Sequence, residues 1–217
     1  MRLTKDQAEA NRRRILAEAG QLFREHGFEG ISVADLMQKA GFTHGGFYNH
    51  FASKSDLMAE VTRDVLEKAT HRLARRAGPD APKDAFATYI DQYLSLEARD
   101  NPGHSCPIAT LGQDVIRQDG QDGKTIKSAF AKGLQAYVDA FANALPDDAL
   151  ADPIEDRQSR RRQAIASLAA LIGGLVMARA VAGEDEGFSE EILSAVRAVV
   201  KRRSRSCEEI DREIDPH

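Results

Sequence analysis

Tyr48, Asn49 and His50 stand in a run, with Thr43, His44, Gly45 and Gly46 just before them and Lys54 just after. Hydroxyl, amide, imidazole and ammonium groups at this density suit a surface of fixed donors and acceptors, such as the groove edges and phosphates of DNA. Read as a helix of about 3.6 residues per turn, the segment puts Phe47 and Phe51 on one face, directed into a small core. Gly45 and Asn49 then lie nearly opposite, with Tyr48 and His50 on the flanks. Asn can bond adenine through two atoms, and Gly adds no bulk between backbone and base. Tyr48 and His50 are placed for the groove walls, Lys54 supplies a point charge, and Thr43 supplies a hydroxyl near a helix N-terminus. Ser32, at the start of the preceding segment, joins these as a candidate DNA contact. Two adjacent glycines cost a helix about 1 kcal/mol each relative to alanine, so stability alone does not account for them. On geometry alone, a plain turn between two helices stays an equal alternative.

A second group carries nucleophilic chemistry. Pro107 disfavours helical geometry at Cys106 and suits the first position of the helix continuing through Ile108 and Leu111. Cys106 therefore falls at or near a helix N-cap, where unpaired amides and the helix dipole favour a thiolate. The loop before it, Asn101 to Ser105, brings His104 near. The alternative is that Cys106 is a small buried apolar residue. Cys207 lies far off, without CxxC or Cys/His spacing, so no metal site or disulfide framework is expected. There is no GxGxxG or GxxxxGK run and no convergent set of acids and bases, so neither a cofactor nor an enzyme activity is expected.

Two apolar patterns remain. Phe86, Tyr89, Ile90 and Tyr93 in one segment, and Phe130, Leu134, Tyr137 and Phe141 in another, could line a ligand pocket or form ordinary core. Of these, Tyr89, Tyr93, Phe130 and Tyr137 are the candidate ligand contacts. The stretch from Gln163 to Val181 is apolar nearly all round and carries Ile165, Leu168, Ile172 and Val176, with Gly173 and Gly174 allowing close helix approach. Ile192, Val196, Val199 and Val200 give the last segment a stripe of its own. Together they suit a four-helix interface about a twofold axis, or else an internal core helix.

The elements needed to position these groups read as helices throughout, since apolar residues recur at helical spacing and Gly, Pro and Asp clusters separate the segments. Thr4 with Gln7 caps a first helix that stops at His26-Gly27. Ser32 with Asp35 opens a second that ends at Gly41, and Thr43 caps a third that runs to about Phe51. Ser53 with Asp56 opens a fourth that reaches about Arg76. Breaks at residues 78–82, 101–105, 119–123, 146–153 and 183–187 leave five more helices. The expected fold is all-α: a three-helix DNA-binding domain at residues 1–54, a linking helix at 54–76, a larger ligand-sensing and dimerisation domain at 79–204, and a charged tail at 205–217.

With 217 residues, 42% of them hydrophobic, the chain can bury a head and a larger body. The net charge of −4 is unevenly placed: residues 1–54 carry eight Lys/Arg against six Asp/Glu, and the rest carries 22 against 28. An acidic body would repel DNA, and the head is the part that tolerates it. The polar N-terminus lacks a signal-like apolar stretch, and the longest uncharged run, between Arg162 and Arg179, is shorter than the roughly 20 apolar residues of a membrane span. A cytoplasmic protein is expected.

The run SVADLMQKAGFTHGGFYNHFASKSDL closely resembles the signature of the TetR/AcrR family of regulators, over about residues 10–60. The resemblance implies that Thr43, Tyr48, His50 and Lys54 contact the DNA backbone, that His44, Gly45, Gly46 and Asn49 lie near bases, and that the protein is a homodimer. The segment GHSCPIATLGQDV resembles a Cys-containing stretch in one branch of that family, whose members include thiol-based sensors. The function expected is a homodimeric repressor, released from a palindromic operator by a small ligand or thiol-reactive signal. An activator of the same fold and a helical interaction module without DNA binding are the alternatives.

Overall fold

The computed structural model describes residues 4–76, 81–82, 84–146 and 156–203. Among them every regular element is helical. Cys207, the charged tail and most of the expected breaks at 78–82 and 146–153 lie outside the described residues. The helices are α1 (Lys5–His26), α2 (Val33–Lys39), a 3-10 helix (His44–Asn49), α3 (Lys54–Arg76), α4 (Ala85–Tyr93) and α5 (Leu96–Asp100). After a 3-10 turn (Pro102–His104) come α6 (Pro107–Ile116), α7 (Gly120–Ala144), α8 (Asp156–Val181) and α9 (Glu186–Arg203). They group into two compact units, one holding the residues up to Ala69 with Asn101–Gln135, the other Thr70–Asp100 with the residues from Ala136 on.

In the first unit, local chemistry sets the helix ends. The Thr4 and Gln7 side chains close a reciprocal capping box on α1, and Gly27, at φ +76°, ends it in a conformation that side chains disfavour. Ser32 caps α2 by accepting from the Asp35 amide at 3.1 Å, and Gly41, at φ +78°, makes the turn toward the next helix. The apolar faces of these elements meet in a core of Ile15, Leu22, Phe23, Phe28, Leu36, Met37, Phe47, Phe51 and Leu57. Leu111, Val115 and Ile126 from α6 and α7 complete the same core. Polar contacts reinforce that docking: Arg24 donates to the Ser105 carbonyl at 3.3 Å, and the Phe28 amide donates to Asp114 at 3.3 Å. This grouping differs from the sequence segments because the apolar stripe of α6 is buried among head residues.

In the second unit, α8 packs along α9, and Gly174 permits the approach: a Cβ there would lie 2.8 Å from a Val196 methyl. Buried Arg99 is held by Asp100 at 2.6 Å, Glu186 at 2.6 Å and the Ser189 hydroxyl at 2.8 Å. Hydrogen bonding to that guanidinium holds the carboxyls of Asp100 and Glu186 below their ordinary range. Arg179 donates to the Ala98 and Arg99 carbonyls at 2.6 and 2.9 Å, so α5 is tied to both α8 and α9. The sequence led us to expect five helices after residue 78, whereas six α-helices are present among the described residues because the segment before Asn101 divides at Leu94-Ser95. No Gly or Pro marks that break. The Ser95 hydroxyl makes it by accepting from the Ala98 amide at 3.0 Å. By length and composition the helical stretch Arg157–Val181 is long and apolar enough to cross a membrane, which the count of strictly uncharged residues missed. Its Arg161 and Arg179 are paired within the unit, to Asp139 and to the α5 carbonyls.

Candidate nucleic-acid interface

The segment expected to read a groove is a 3-10 helix that ends at Asn49, with His50 as its C-cap, where the sequence suggested an α-helix to about Phe51. Two consecutive glycines lower helical propensity, and a short tight helix is the form such a segment takes. The change matters for the facing of side chains. With about three residues per turn, positions three apart align, so Gly45 shares a face with Tyr48 and Gly46 with Asn49. The anchoring holds nonetheless: Phe47 is fully buried, Phe51 is 2% exposed just after the helix, and their rings lie 5.5 Å apart.

Above that floor, His44, Gly45, Tyr48 and Asn49 are exposed, Tyr48 by 65%. A Cβ at Gly45 would meet nothing within 4 Å, so the backbone there is open to a close-approaching partner. Gly46 is half-buried against Thr43 and Met37. The Tyr48 ring stands edge-on to Phe47 at 5.2 Å and to His44 at 6.3 Å, which orients its hydroxyl without engaging it. Thr43 begins the helix in extended geometry, and its hydroxyl makes no cap bond, so that group is available. Ser32 differs: its hydroxyl donates to Asp35 at 2.6 Å while accepting from the Asp35 amide. His50 is half-buried.

Lys54 opens α3 and lies 3.4 Å from Glu29, a pairing that sequence spacing did not foretell. Arg14 was also missed. Its guanidinium sits over the Phe42 ring at 5.4 Å and against Gly41, placing a cation at the turn itself. The Arg12-Arg13-Arg14 run was the available signal. Arg12 has turned inward, pairing with Glu60 and stacking over Phe51 at 5.0 Å.

The other predicted residues divide between the units. Tyr89, Tyr93 and Tyr137 come together in the second unit beside Phe86 and Phe141, with the Tyr89 and Tyr137 hydroxyls 2.5 Å apart and the Arg76 guanidinium over the Tyr89 ring at 5.7 Å. Phe130 does not join them, since it packs against the head core in the first unit. Cys106 is the N-cap of α6, in extended geometry and 8% exposed, while His104 is exposed at the end of the 3-10 turn. On α8 and α9, Leu168 and Ile192 are buried within the single chain, and Ile172 and Val196 are half-buried. Ile165, Val176 and Val199 point outward, with Met177 and Phe188, which the sequence reading did not single out.

A capped helix, a glycine turn and a short helix with an open polar face over a phenylalanine floor define a helix-turn-helix of the DNA-binding kind. Residues 15–61 match the family model for bacterial regulatory proteins of the tetR family. The uncharacterised regulator YfiR of Bacillus subtilis is 24% identical over 49% of this chain and 52% of its own length. The transcriptional repressor Rv1474c of Mycobacterium tuberculosis is 24% identical over 66% of this chain and 84% of its own. The chain thus spans about half the length of the first of these relatives and most of the second. The fold is that of the reduced form of Escherichia coli NemR, with a TM-score of 0.69, 22% identity, and coverage of 89% of this chain and 96% of that one. Residues 15–61 are therefore similar to the DNA-binding region of tetR-family regulators, and the relatives that match are named as HTH-type transcriptional regulators.

Proposed function

We propose that this chain is a homodimeric transcriptional repressor that reads a palindromic operator in the cytoplasm and is released by a small ligand or a thiol-reactive signal. The observation that carries the DNA reading is the exposed His44, Gly45, Tyr48 and Asn49 set, fixed on buried Phe47 and Phe51. Repression is favoured over activation by the name of the relative that covers most of its own length. The outward apolar residues Ile165, Val176 and Val199 on two adjacent helices support a twofold partner, for which a second copy is the simplest occupant. The linked tyrosines Tyr89 and Tyr137 support an effector site with apolar walls and a few hydroxyls. Cys106, at a helix N-cap, is the residue through which an electrophile would act. Genome-wide mapping of bound sites, followed by footprinting, tests the reading. Symmetric protection with half-sites about 34–36 Å apart is expected, and absence of any DNA shift would leave a helical interaction module instead. A reporter that falls, not rises, in a deletion strain would make the protein an activator. Operator release by hypochlorite from wild type but not from Cys106→Ser would assign the thiol, and equal release from both would remove it.

A further inference from the structure

Within the first unit, α3 and α7 close tightly at one point and open at another. At Gly133 a Cβ would come within 2.6 Å of a Leu66 methyl, so the Leu66 side chain packs directly on the α7 backbone there. Toward Arg63 on α3 and Gln121 on α7 they leave a cleft of about 380 Å³. Gln121, Lys124, Thr125, Ser128 and Lys132 recur at the spacing of one α7 face, and buried Ala129 adds only a methyl group to the lining. These polar residues are exposed, and together they present two ammonium groups, two hydroxyls and an amide beside the Arg63 guanidinium at the open mouth of the cleft.

The charge is one-sided. Arg63, Lys124 and Lys132 line the cleft, no Asp or Glu does, and none of the three takes part in a described ion pair. Lys127, one turn away and outside the cleft, faces Asp119 at 3.9 Å in the ordinary manner. Three like charges around one concavity repel each other, and a multivalent anion would relieve that repulsion. The two lysines stand about 12 Å apart along α7, which suits an anion with more than one charged group. The volume lies in the range of small-molecule sites, about 300–1,000 Å³, and a concave site favours a compact ligand over a duplex.

We infer that the α3/α7 cleft binds a small phosphorylated molecule, with Arg63 gripping a phosphate through its planar fork and Lys124 and Lys132 neutralising the remaining charge. The Thr125 and Ser128 hydroxyls and the Gln121 amide complete the hydrogen bonding. The inference stands apart from DNA reading and from the tyrosine cluster.

Calorimetric titration of the full-length protein with inorganic pyrophosphate, at constant ionic strength in chloride, tests it. One saturable site per chain is expected, weakened at least tenfold in Arg63→Gln and in Lys124→Gln/Lys132→Gln, and unchanged in Lys127→Gln. All four residues are exposed, and unaltered melting temperatures without ligand will verify that the variants fold. Non-saturable binding, or an equal loss in Lys127→Gln, would overturn the proposal. If pyrophosphate fails to bind while the cleft substitutions reduce DNA affinity and its salt dependence, the surface is a DNA-backbone contact and the small-ligand site falls.

Discussion

The turn at residues 41–51 and the outward face of α8 and α9 depart from ordinary helix physics in opposite directions. The turn gives up helical stability, with two glycines and a 3-10 geometry, to place polar groups above a buried aromatic floor. The α8/α9 face keeps long, regular helices and leaves apolar side chains in water, with Val176 43% and Met177 55% exposed. The first kind of departure fits a rigid polar partner read at short range, and the second fits a surface as apolar as itself. Partner chemistry is thus written in which rule is broken.

The sharpest way to break the comparison is to remove the floor. Phe47→Ala should destabilise the first unit by about 3–5 kcal/mol, seen as a lowered denaturation midpoint, with DNA binding lost alongside. A melt within experimental error of wild type would separate the exposed polar set from the core beneath it. The next largest effect is expected at the apolar face. Val176→Asp with Val199→Asp should give monomers in sedimentation at micromolar concentration and cost operator binding about 2–4 kcal/mol, as loss of an interface centre does. Leu168→Asp probes something else, since Leu168 is buried within one chain and its replacement should unfold the second unit.

A smaller effect belongs to the exposed contacts. Tyr48→Ala should weaken binding to all sequences by about 1–3 kcal/mol, and Asn49→Ala should relax preference at one base pair. Unchanged operator affinity in Tyr48→Ala at moderate salt would move the reading surface elsewhere. The smallest effect is a gain: Glu29→Gln removes a partner 3.4 Å from Lys54, and DNA affinity should rise by less than about 1 kcal/mol, most visibly at low salt.

Helix ends were legible wherever a side chain signals them locally. Thr4, Ser32, Gly27 and Gly41 sit where their cap and turn chemistry places them. The break at Ser95 was not, because neither Gly nor Pro marks it and a serine hydroxyl can equally cap a helix or sit on its surface. At residues 43–51 a short helix over Phe47 and Phe51 was legible, yet the facing of its side chains was not, since an α-wheel and a 3-10 wheel assign different neighbours to Gly45. Pairings across long separations, Lys54 with Glu29 and Asp114 with Phe28, leave no trace in spacing. Nor does periodicity tell which side of α8 faces its own chain, because the helix is apolar nearly all round from Gln163 to Val181, and Leu168 and Ile165 read alike.

The sharing of one core by head and later helices also bears on how the chain is made. Leu111, Val115 and Ile126 fill space beside Phe23, Phe28 and Leu36, so the head cannot finish packing when its own residues leave the ribosome. It must wait until translation has passed Ile126, holding Phe23, Phe28 and Leu36 incompletely covered meanwhile. A fragment ending at Ala69 should therefore be loosely packed and prone to aggregate, and a nascent chain should gain protease resistance in the head only once α7 has begun to emerge.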